Sequence, residues 1–144
     1  MSLDILFIHP NASKKIYQGL SNEHSAIEPP IWAGMLANHC KNKNHDVKIL
    51  DCEVEKLDYI SSAKKIKEFK PRIACFVVYG QQPSASSQNM EGAVATSEEL
   101  KRLDPEIKVL FVGGHVSALP RETLLTEKSI DIIALNEGVY SIYN

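Results

Sequence analysis

Several things are scarce in this sequence, and each scarcity removes a class of function. It holds three cysteines, Cys40, Cys52 and Cys75, widely spaced and with no CxxC pair. That argues against a disulfide framework or a zinc site, and it fits a reduced, cytoplasmic compartment. No apolar run approaches the roughly 18 residues that span a bilayer. The start, Met1-Ser2-Leu3-Asp4, lacks the basic region and apolar stretch of a signal peptide. A net charge of -2 over 144 residues, with no basic run, offers little to nucleic-acid phosphates. GxSxG, Walker, GxGxxG and HExxH patterns are all missing. Asp4 and Asp51 flank strands but lack the paired acids and lysine of a phosphoacceptor site.

What remains is an ordinary globular composition, 44% apolar and 24% charged, at a length that suits one domain. Ile5-Leu6-Phe7-Ile8, ending at His9-Pro10, is a short continuous apolar run, the mark of a strand buried on both faces. Pro29-Pro30 opens a helix whose stripe is Ile31, Trp32, Met35, Leu36, His39 and Cys40. Val47 to Leu50 is the second strand. Tyr59, Ile60, Ala63, Ile66 and Phe69 form the next helical stripe, closed by Pro71. Ile73 to Tyr79 is the third strand, and a helix follows over Met90 to Leu100. Ile107 to Val112, a short helix from Arg121 to Glu127, and a fifth strand from Ile130 to Leu135 complete the series. Val139 to Asn144 reads as the first turn of a further helix, which is the pattern of a fragment of a longer protein.

Five strands alternating with helices predict a parallel sheet with helices on both faces. The expected fold is a flavodoxin-like or Rossmann-like three-layer sandwich, α/β, with strand order 2-1-3-4-5. In such sheets ligands bind outside the carboxyl ends of the strands, at the switch point, here between strands one and three. The loops that matter are therefore His9 to Ser25, Gly80 to Ser87, Gly113 to Pro120 and Asn136 to Gly138. The first is long against the usual connection of about 4–6 residues. It reads either as a functional loop or as plain surface. The second is rich in amides and hydroxyls that suit a polar ligand, and Ser86 or Ser87 also suits a helix N-cap. In the third, Gly113-Gly114 either lets the backbone approach a ligand or makes a tight turn. His9 and His115 sit at strand ends on the same edge.

These pieces, in order, resemble a known family. They are Phe7-Ile8-His9-Pro10, Pro29-Pro30-Ile31-Trp32-Ala33-Gly34-Met35-Leu36-Ala37, His45-Asp46-Val47-Lys48-Ile49-Leu50-Asp51, Val112-Gly113-Gly114-His115-Val116-Ser117-Ala118-Leu119-Pro120 and Asn136-Glu137-Gly138. The pattern is similar to the N-terminal cobalamin-binding domain of B12-dependent radical SAM enzymes. His-Pro after strand one and Pro-Pro-x-Trp look most like the anaerobic magnesium-protoporphyrin IX monomethyl ester oxidative cyclases. The resemblance implies cobalamin across the carboxyl edge, its nucleotide tail beside the strands and passing close to Gly113 and Gly114. The residues it puts against the cofactor are His9, Pro10, Asn11, Tyr79, Gln81, Gln82, Ser84, Gly113, Gly114, His115, Ser117, Glu137 and Gly138.

The resemblance also implies a C-terminal radical SAM domain on the same full-length chain. S-adenosylmethionine and a 4Fe-4S cluster would bind there, because no CxxxCxxC occurs in this sequence. No residue here is then expected to be catalytic or to ligate a metal, and no membrane or nucleic-acid partner is expected. The DxHxxG motif that supplies a cobalt-ligating histidine in the methionine-synthase type is absent. Val77 and Gly80 stand where the family tends to have a serine and a threonine, and Asn136-Glu137-Gly138 replaces Gly-Glu-Gly. The other readings are a flavodoxin-like regulatory or interaction module that has lost cobalamin, and a small-molecule enzyme using flavin or a nucleotide at the same edge, for which no motif speaks.

Overall fold

The apolar run near the start extends to Leu3–His9 and forms β1. Ile31–Lys41 (α1), Val47–Asp51 (β2), Tyr59–Phe69 (α2), Pro71–Val78 (β3) and Pro83–Leu103 (α3) follow. Lys108–Gly113 (β4), Gly114–Ala118 (α4), Pro120–Thr126 (α5) and Ile132–Ala134 (β5) complete the order. These elements come from a computed structural model that describes residues 3–11, 29–79 and 83–142, with side chains outside 83–88.

The sheet is five-stranded and parallel throughout, in the order β2-β1-β3-β4-β5. The three central strands carry continuous apolar sequence because both their faces are covered. One face holds Leu6, Ile8, Phe76, Val78, Val109 and Phe111 against Ala63 and Ile66 of α2, Met90, Ala93 and Leu100 of α3, and Val116 of α4. The other holds Ile5, Phe7, Cys75, Val77, Leu110, Val112 and Ala134 against α1, with Val139 and Ile142 packed beside them. Phe7, Phe76 and Phe111 are fully buried, each worth about 1.5–3 kcal/mol relative to exposure.

Local signals set the element ends. Asp58 caps α2 by accepting from the Ser61 N–H at 2.7 Å. Lys70 turns left-handed (φ 50°) and ends the helix just before Pro71 enters β3. Pro120 sits in the first turn of α5, where its missing N–H costs nothing.

Four expectations need correction. Only Leu36 and Cys40 of the stripe expected on α1 are buried. Ala33, Leu36, Ala37 and Cys40 face the sheet, while Ile31 and Met35 are 63% and 52% exposed. The polar stretch Gly80 to Ser87 is not all loop. The helix begins at Pro83, so Ser84, Ser86 and Ser87 lie inside α3 and neither of the last two is its N-cap. Gly113 to Pro120 is likewise helix α4 from Gly114 onward, because β4 and α4 join without an intervening loop. β5 is shorter than expected, since Ile130 is buried ahead of the strand rather than paired in it. Val139 to Ile142 makes one turn, in which the Ile142 N–H donates to the Gly138 carbonyl at 2.9 Å.

Candidate functional site

At the carboxyl edge of this sheet, two groups of side chains flank the switch point between β1 and β3. The first joins the ends of β1 and β2. His9, almost fully buried, places Nε2 3.1 Å from the Glu53 carboxylate. The chain is held for this because the Asp51 carboxylate accepts from both the Glu53 and Val54 N–H groups at 3.1 Å. The Cys52 N–H donates to the His9 carbonyl at 3.0 Å. Asn11 donates from its side-chain amide to the Leu57 carbonyl at 3.0 Å. His9 and Asn11 thus clasp the turn after β2, a role their sequence positions did not disclose.

The second group joins α1, β3, α4 and the segment after β5. Trp32, in the first turn of α1, stacks on Tyr79, ring centroids 4.6 Å apart and planes 26° from parallel. The Tyr79 hydroxyl donates to the Asn136 carbonyl. Burial pushes this phenol above its ordinary range, and the Glu137 charge adds to the effect, so it stays a donor. Asn136 holds a left-handed backbone (φ 58°), and its N–H donates to the Ser117 hydroxyl at 2.9 Å. Beneath this belt, on the α1 face, lie the small apolar side chains of Val77, Val112 and Ala134.

The glycines answer to their own chain. A Cβ on Gly113 would run into the Val78 carbonyl oxygen and lie 2.8 Å from its carbon. Gly138 has φ +74°, and a Cβ there would meet Val112 Cγ2 at 2.6 Å. Gly114 opens α4 in an exposed position. His115 lines a separate cavity of about 140 Å³ with Met90, Leu119, Glu122, Thr123, Thr126 and Glu127, away from the belt.

Of the residues expected at the site, Tyr79 and Ser117 meet in the belt through Asn136, with Glu137 and Gly138 next in the chain. His9, Pro10 and Asn11 sit on the opposite side of the switch point. Gln81 and Gln82 lie outside the described residues, as does most of the first loop; Ser84 is placed by backbone alone, in the first turn of α3. Trp32 and Glu53 were not expected as edge residues, and Asn136 was expected in an edge loop but not among the cofactor contacts. The signal for Trp32 was its place in the first turn of a helix that starts at the ligand edge. Among the described residues, no three His, Cys, Asp or Glu side chains gather to hold a metal ion. No described helix is long and apolar enough to cross a membrane.

Comparison with known proteins identifies the family. Residues 19–142 match the B12 binding domain family. Over 110 residues the chain is 30% identical to an uncharacterized methyltransferase of Pyrococcus horikoshii, covering 76% of this chain and 22% of that protein. The structure resembles TsrM from Kitasatospora setae, a radical S-adenosylmethionine methyltransferase, solved with tryptophan and a SAM analog and also with cobalamin and a [4Fe-4S] cluster. TM-scores are 0.57 and 0.56 at 17% identity, over 83% of this chain and 21% of that one. The chain therefore spans about a fifth of the length of these relatives. By the family match over most of its length, the chain belongs to the B12-binding domain family.

Proposed function

We propose that residues 1–144 form the cobalamin-binding module of a larger B12-dependent radical SAM enzyme. The observation that supports this best is the B12 binding domain match, which takes in the belt and most of the switch-point crevice. Below the belt the sheet is apolar and small-sided at Val77, Val112 and Ala134, buried under α1, so an uncharged heterocycle entering there would meet no charge. When bound, cobalamin supplies a cobalt centre for group-transfer or redox chemistry, and the protein supplies position and surroundings. His9, Pro10 and Asn11 would border the cofactor on one side of the crevice. Tyr79, Gly113, Gly114, Ser117, Glu137 and Gly138 would border it on the other, while His115 faces the separate cavity; the resemblance adds Gln81, Gln82 and Ser84 to the contacts.

The parent enzyme would hold S-adenosylmethionine and the 4Fe-4S cluster in its other part. The relatives' names favour methyl transfer as its reaction. Cyclase chemistry of the magnesium-protoporphyrin kind rests on His9-Pro10 and Pro29-Pro30-Ile31-Trp32 alone. Val77, buried among apolar neighbours with no hydroxyl to offer a ligand, favours the second reading, a module that has lost cobalamin.

Incubation with hydroxocobalamin, gel filtration and an absorption spectrum separate the two. Co-elution of the corrin bands with protein is the expected result, and a colourless protein peak would leave the second reading. Gly114→Val should weaken binding more than about tenfold, while Lys65→Ala, on the outer face of α2, should not. Equal affinity in Gly114→Val and wild type would put the tail elsewhere.

A further inference from the structure

Trp32 is the only tryptophan of the chain, and it is spent at the ligand edge rather than in the core. It remains 37% exposed while stacked on Tyr79. A tryptophan serving the fold alone gains most by full burial, as the phenylalanines of this sheet show. The partner ring is held by a single tie. Tyr79 is tied to Asn136, a non-glycine residue in a left-handed conformation whose own N–H leans on Ser117. Asparagine adopts this conformation readily, so the turn that positions the Asn136 carbonyl holds without strain. The tie is one hydrogen bond to a neutral acceptor, which water can replace at small cost when the ring swings out. Behind the pair lie Val77, Val112 and Ala134, which present no charge to an incoming apolar ring.

We infer that Trp32 is the stacking platform for the flat heterocycle of the cofactor's nucleotide tail, and that Tyr79 occupies that platform until the tail displaces it. The inference rests on the cobalamin reading. The exchange is close to balanced in kind, ring for ring, and a two-ring heterocycle covers more of the indole than a phenol does. Tyr79 is then a competitor for the ligand's place, whereas Trp32 contributes to affinity.

The two residues should therefore respond to substitution with opposite sign. The test titrates the 144-residue chain with hydroxocobalamin and with hydroxocobinamide, which keeps the corrin but lacks the nucleotide tail. Each variant is compared with wild type for the same ligand. Trp32→Ala should weaken hydroxocobalamin about tenfold, or about 1.4 kcal/mol, and leave hydroxocobinamide within about twofold. Trp32→Phe should recover part of the loss. Tyr79→Ala should bind hydroxocobalamin at least as tightly as wild type. Circular dichroism checks the fold, and if Trp32→Ala unfolds, Trp32→Leu against Trp32→Phe gives the same comparison. An equal loss for both ligands, or a Tyr79→Ala loss as large as that of Trp32→Ala, overturns the inference. Wild-type chain that binds neither ligand overturns the cobalamin reading itself.

Discussion

Gly113 and Gly34 invite opposite substitutions, and the pair tests how this sheet is packed. Gly113 ends β4 directly beside Val78 of β3, its register partner. An alanine there would drive its Cβ into the Val78 carbonyl, with the carbonyl carbon at 2.8 Å and Cα at 3.3 Å. Those are backbone atoms at the paired ends of two central strands, so the strands themselves must part there. Overpacking of this kind costs about 1–3 kcal/mol. Gly34 lies within α1, and a Cβ there meets nothing within 4 Å. Alanine at that site removes the extra chain entropy of glycine and should stabilise by about 0.5–1 kcal/mol. For a domain of this size 1 kcal/mol moves the melting temperature by about 2–4 °C. Urea denaturation of Gly113→Ala and Gly34→Ala should show midpoints shifted down and up respectively, with slopes unchanged. A Gly113→Ala protein as stable as wild type would refute the close approach of β3 and β4. The glycine would then have to be explained by the ligand alone.

Two further expectations concern ionisation. Asp131 accepts from the Lys101 ammonium at 2.6 Å and the Val109 N–H at 2.8 Å; these outweigh its burial and hold its carboxyl below the ordinary 3.8. The unfolded chain takes up this proton first, so the contribution is present above that value and is lost on acidification below it. Asp131→Asn should lower stability at neutral pH and flatten the acid limb of the melting profile, and an unchanged limb would count against the pair. All three thiols are buried, and burial pushes Cys52 up to about 11 from 9.0. The unfolded thiol ionises first, so stability falls as pH rises from about 9 to 11, and Cys52→Ala should reduce that fall. Native protein at pH 8 should react slowly with a thiol reagent and release its full count only on unfolding.

The strand order was legible because it rests on coarse features. Runs such as Ile5 to Ile8 and Ile73 to Val78 are apolar without alternation, which leaves only strands covered on both sides. The burial of α1 was misjudged because periodicity was weighed by residue size. Its inner side is made of Ala33, Leu36, Ala37 and Cys40, and the larger Ile31 and Met35 point outward. The start of α3 was misplaced because Ser84 to Ser87 look like a loop in composition, whereas Pro83 is the stronger signal for a helix's first turn.

The site was legible as an edge but not as a set of partners. His9 meets Glu53 across 44 positions and Tyr79 meets Asn136 across 57, and no local spacing encodes either contact. The same holds in reverse for the glycines. Gly113 reads from sequence as room left for a ligand, yet the Val78 backbone already demands it. A strand-end glycine thus has two sufficient causes, and its presence cannot choose between them. Trp32 differs, because burial in the core would explain it and that burial is absent. Its part-exposed face at the carboxyl edge, stacked on a partner ring tied to the segment after β5, is consistent with a cause outside the fold's own packing. That makes it a better guide to the ligand than the Gly113-Gly114 pair, although the glycines were the more visible pattern.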